Sequence, residues 1–72
     1  MSIVSTGEKL RSFRLSKGLT KKAMAEKLGV SLSLYEKVEG GQAGASANLM
    51  HRIKEVFPEV SIEKLFFEAN LP

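Results

Sequence analysis

The feature that most limits what this chain can fold into is the tetrapeptide Leu28-Gly29-Val30-Ser31, set between two short stretches with helical spacing. The stretch before it opens at Thr20 and places Ala23, Met24, Ala25 and Leu28 on one side. The stretch after it opens at Ser31 and turns Tyr35 and Val38 to one face, at 100° per residue. A hydroxyl side chain accepts from the unpaired amides of a first helical turn, so Thr20 and Ser31 are natural caps. Gly29 suits the join because a left-handed backbone is nearly free for glycine. A join this short forces a sharp crossing, and Val30 is expected to tuck beneath it and fix its angle.

The rest of the chain is punctuated in the same way. Ser5 with Glu8 three residues later reads as a capping box, opening a helix that turns Leu10 and Phe13 inward and stops at Gly18. Ser46 opens a helix over about residues 46–57, with Leu49, Met50, Ile53, Val56 and Phe57 spaced for burial and Pro58 just past its end. Ser61 caps a last short helix, to about residue 68, that carries Ile62, Leu65 and Phe66. No segment alternates apolar and polar residues, and no linker separates two domains. The expected fold is all-α, a compact five-helix domain over residues 1–72, with its helix-turn-helix unit at about residues 20–39. Seventy-two residues lie near the lower limit for a single core, and 43% hydrophobic residues are enough to build one.

Composition narrows the function classes. The absence of cysteine removes disulfides and thiolate chemistry. No apolar run reaches the roughly 20 residues that cross a bilayer, and residues 1–6 lack the apolar core of a signal peptide, so a soluble protein of the bacterial cytoplasm is expected, with no membrane partner. Net charge is +3, unevenly placed: residues 1–35 carry seven Lys or Arg against Glu8 and Glu26, whereas residues 36–72 carry four against six Glu. A polyanion would meet the N-terminal half.

Nothing points to catalysis, and no cofactor or metal is expected. The single histidine, His51, sits between apolar positions of a helix, without cysteine or carboxylates at ligand spacing, and reads as a half-exposed packing residue. Gly40-Gly41-Gln42-Ala43-Gly44 follows a helix rather than a strand, so it is a flexible loop and not a nucleotide fingerprint. Met24 and Met50 read as core filler.

The run GEKLRSFRLSKGLTKKAMAEKLGVSLSLYEKVEGG resembles the Cro/CI-type, lambda-repressor-like helix-turn-helix family of phage and bacterial regulators. The features that match are Leu10, Arg14, Gly18-Leu19-Thr20, Ala25, Leu28-Gly29-Val30-Ser31 and Val38-Glu39 followed by glycine, and IKEVFPEVSIEKLFF is similar to the closing helices of phage-associated members. The resemblance spans about residues 7–67. It implies that Arg14 and Glu39 pair and lock the unit, that Thr20 and Lys21 face a DNA backbone, and that Leu32 to Leu34 enter the major groove. It further implies that the loop Gly41 to Gly44, with Gln42, lies along phosphates. Members usually bind operator DNA as dimers, often through the last helix, and many are repressors.

The filling of the pattern is unusual. Lys21 stands where the family usually has glutamine, followed by Lys22; both are candidates for phosphate contact, as is Lys17, since lysine is a flexible point charge. Leu32, Ser33, Glu36 and Lys37 form the outer face of the third helix, with Leu34 intermediate and half-buried. Base readout favours Arg, Lys, Asn or Gln, and none of these occupies residues 31–36. Two readings therefore stand. The chain is a DNA-binding regulator of a lysis–lysogeny type switch, bound mainly through the backbone with modest discrimination from Ser33 and Leu32, and with Ser31 also in the binding surface. Alternatively it is an antirepressor, docking a face with Leu32, Leu34 and Leu15 onto a co-encoded repressor. Phe66 is expected to close the core; Phe67 beside it points elsewhere and, with Leu71, is a candidate homodimer contact.

Overall fold

The computed structural model describes residues 6–67; the capping residue Ser5 and the dimer candidate Leu71 lie outside the described residues. Helices run over Thr6–Ser16 (α1), Lys21–Leu28 (α2), Leu32–Glu39 (α3) and Ala47–Val56 (α4), and Glu63–Phe67 forms a short closing turn. No strand occurs among the described residues. The closing element differs from the helix expected to residue 68, because Glu63–Phe67 winds with the wider π spacing. Ser61 still serves at its start, its Oγ accepting from the Lys64 amide.

Caps set the four α-helices apart. Thr20, Ser31 and Ser46 have extended backbones, and their side chains accept from the amides of Ala23, Leu34 and Leu49. Gly29 ends α2 in the left-handed region at φ 69°, its amide reaching back to Ala25 and Glu26. Each cap satisfies groups that a helix end leaves unpaired and is worth about 1 kcal/mol.

The core is drawn from every helix: Leu10, Met24, Leu28, Tyr35, Leu49 and Ile53 are fully buried. Val60 and Leu65 close it from below, and Val30 packs partly buried under the α2–α3 turn. Phe13 and Phe57, both expected inward, meet at the rim in an edge-to-face pair with centroids 5.1 Å apart. Several expectations for burial need correcting. Val56 is 38% exposed because α4 ends there and the chain turns away. Met50 and Ala23 are only half-buried, at the margins of their helices' inner faces. His51 is not a packing residue: it lies on the outside of α4, exposed, with Nε2 3.5 Å from Glu55 one turn on.

The helices α1 and α3 approach tightly at Gly7. Gly7 is buried, and a Cβ added to it would run into the carbonyl group of Glu39. Glycine in a helix costs about 0.5–1 kcal/mol relative to alanine, and here its lack of a side chain lets the first turn of α1 lie against the last turn of α3.

Candidate nucleic-acid interface

The third helix has two faces with different owners. Inward, Tyr35, Val38 and Glu39 are buried. Glu39 holds the guanidinium of Arg14 in a two-pronged pair: Arg14 Nε donates to Oε2 and Nη2 to Oε1, both at 3.0 Å. Arg14 Nη1 also donates to the carbonyl of Leu19 at 2.8 Å, tying down the segment that leads into α2. Burial is the largest single influence on the Glu39 carboxyl and would raise it, but the Arg14 hydrogen bonds, the nearby Tyr35 hydroxyl and the charges of Arg14 and Lys21 together hold the group below the usual carboxylate range. The same hydrogen bonds push Arg14 further up. The Tyr35 hydroxyl, also buried, has no partner at hydrogen-bonding geometry, although it lies close enough to feel both charges of the pair. Burial is the main cause that raises its phenol well above the ordinary value.

Outward, Leu32, Ser33, Glu36 and Lys37 are all exposed, as is the capping residue Ser31. Leu34 is more open than its expected half-buried position: it is 41% exposed, against 39% for Leu32. One turn of helix separates it from Val38, yet the core behind is already filled by Tyr35, which leaves Leu34 on the flank. Leu15 on α1 is likewise exposed.

At the start of α2, Thr20 caps the helix by accepting from the Ala23 amide at 3.0 Å, and Lys21 and Lys22 project into solvent. No hydrogen bond or ion pair joins either lysine to another described residue, although Lys21 is near enough to help hold the Glu39 carboxyl low. Two ammonium groups at the positive end of a helix dipole repel it and each other, a cost an anion would relieve.

Two other sequence-derived candidates are placed differently. Lys17, just past the end of α1, has Nζ 2.6 Å from Glu59 and above the rings of Phe13 and Phe57. A lysine engaged by a carboxylate and two aromatic faces braces the segment after α4, and a phosphate would have to compete with Glu59 for it. The loop after α3 also has its backbone donors turned inward: the amides of Gly40 and Gly41 go to Glu36 and Val38, and those of Gln42 and Ala43 both go to the Lys37 carbonyl. What this loop can offer a phosphate is the exposed side chain of Gln42 rather than a row of free amides.

Two structural residues went unmarked in the sequence. Gly7 carries a detectable signal, a glycine inside an otherwise helical stretch, which usually marks close packing. Arg52 carries none, since its contact, with the Leu28 carbonyl, lies 24 residues away. Among the described residues no cluster of three or more His, Asp or Glu could hold a metal ion, and no helix is long and apolar enough to cross a membrane.

Compared with known proteins, residues 6–57 match a family described as a helix-turn-helix domain. No curated protein and no solved structure matches the chain.

Proposed function

Because the chain belongs to the helix-turn-helix domain family, a class of DNA-binding module, we propose that it is a small transcriptional regulator of a phage- or prophage-type lysis–lysogeny switch. It binds operator DNA through the starts of α2 and α3. Lys21 and Lys22 supply the affinity by meeting phosphates; Ser31, Ser33 and Lys37 offer hydrogen bonds to the groove, and Leu32 offers contact to a thymine methyl. The observation that carries this reading is the division of α3: its inner face is consumed by the core and the Arg14 pair, while its outer face and the adjoining lysines are exposed and carry no hydrogen bond or ion pair to another described side chain.

The test is a gel shift with duplex DNA from upstream of the protein's own gene, repeated across salt concentrations. Binding should weaken steeply with salt, and Lys21→Gln with Lys22→Gln should flatten the slope by about 0.9 for each phosphate that is no longer neutralised. Failure to bind any such duplex at low salt would sink the reading.

A second reading draws on the exposed Leu32 and Leu34, flanking a face edged by Glu36 and Lys37. Apolar side chains beside a glutamate suit a protein surface better than a groove walled by phosphates. In this case the chain is an antirepressor that covers the DNA face of a co-encoded helix-turn-helix repressor. Co-purification with that repressor, abolished by Leu32→Asp, would favour it; an unchanged complex removes this face from the interface. Homodimerisation through Phe67, which is 67% exposed, is compatible with either reading and is tested by sedimentation of Phe67→Asp.

A further inference from the structure

Arg52 behaves unlike the other charged residues of α4. His51 pairs with Glu55 along the helix, and Lys54 bonds the carbonyls of Pro58 and Val60 at its end. Arg52 instead reaches across to the turn that precedes α3, where its Nη1 lies 3.4 Å from the Leu28 carbonyl. The turn's own amides are already used: that of Gly29 reaches Ala25 and Glu26, and that of Val30 reaches Ala25. A guanidinium at this place meets a carbonyl left over at the negative end of the α2 dipole, where a cation is favoured.

The same group fills the space over Gly29. A Cβ at position 29 would lie 2.8 Å from Nη1 and 3.7 Å from Cζ of Arg52. Gly29 therefore answers two demands, a left-handed backbone at φ 69° and room for a guanidinium from another helix. The second demand ties the turn to α4, and the direction in which α3 leaves the turn depends on where the turn is held.

We propose that Arg52 is a positioning residue for α3: by capping α2 and packing over Gly29 it clamps the α2–α3 turn to α4 and sets the angle of the exposed face. The clamp is a statement about the fold; its effect on DNA binding rests on the function proposed above.

The experiment is a double-mutant cycle, read first as melting temperature. Gly29→Asn keeps part of the left-handed tolerance but adds the Cβ, so its destabilisation combines a backbone penalty with displacement of the guanidinium, and the coupling to Arg52 separates the two. That destabilisation should shrink when Arg52→Ala is already present, and the Gly29→Ala pair should show the same coupling on top of a larger backbone penalty. Equal drops in melting temperature in both backgrounds would overturn the clamp. The second measurement is affinity for duplex DNA against salt. Arg52→Ala should weaken binding several-fold with the salt slope unchanged, and Arg52→Lys should recover part of the affinity. A slope shallower by about 0.9 would make Arg52 a phosphate contact instead and overturn the positioning role. If the wild-type chain binds no DNA, the proposed function fails while the Gly29 cycle still decides whether the clamp exists.

Discussion

The two faces of α3 make the most instructive comparison in the molecule. On the inner face every side chain is fixed by something far away in sequence: Tyr35 by the core, Glu39 by Arg14, and the carbonyl of Glu39 by the bare backbone of Gly7. On the outer face Leu32, Ser33, Glu36 and Lys37 are exposed, and no side-chain hydrogen bond or ion pair ties them to another described residue. The inner face is thus under thermodynamic constraint, and the outer face is open to whatever constraint a binding partner imposes.

This division can be broken experimentally. Glu39→Ala is the severest challenge: it strands the buried Arg14 charge and should cost about 3–5 kcal/mol. A domain this small has little more than that to lose, so circular dichroism should show it largely unfolded at 25 °C. Gly7→Ala should come next, at about 1–3 kcal/mol in urea denaturation, because the new methyl group must push α1 away from the last turn of α3. Acid should act through the same latch. The Glu39 carboxyl is held below its ordinary value of 4.5 in the fold, so its stabilisation is complete above that value and is lost as pH falls through the lower, folded one. A stability profile in this acid range should flatten for Glu39→Gln, and an unchanged profile would mean that another carboxylate governs acid unfolding. Smallest of all should be Leu32→Ser and Leu34→Ser, each within about 0.5 kcal/mol of wild type. A larger effect at either position would mean that the outer face does have folding work and would erase the contrast.

The sequence is clearest where structure is local. Thr20, Ser31 and Ser46 announce their helices, and Gly29 announces the turn, because a cap is decided within four residues. The place of α3 and the burial of Tyr35 and Val38 follow from its period alone. Legibility fails where the deciding contact is distant. Lys17 has the local signature of a cation free for DNA, and its partner Glu59 lies 42 residues on. The resemblance lays the loop Gly41 to Gly44 along phosphates, but nothing in its own composition shows that the amides of Gly41, Gln42 and Ala43 turn back onto α3. The π winding of Glu63–Phe67 has no sequence period of its own to betray it. In the candidate site, position and exposure are readable, but whether a leucine meets a methyl group or a protein is a property of the partner.

The shortness of α3 has a consequence for addressing. Eight residues rising about 1.5 Å each make a rod of about 12 Å, which can lie beside three to four base pairs at about 3.4 Å apiece. A word of that size recurs about once in 60 to 260 base pairs, against the million or more competing sites of a genome. On the proposed function, one copy of this domain therefore holds too little information to name a single operator. The remaining letters have to be supplied by a second reader, either another copy or a different protein bound beside it.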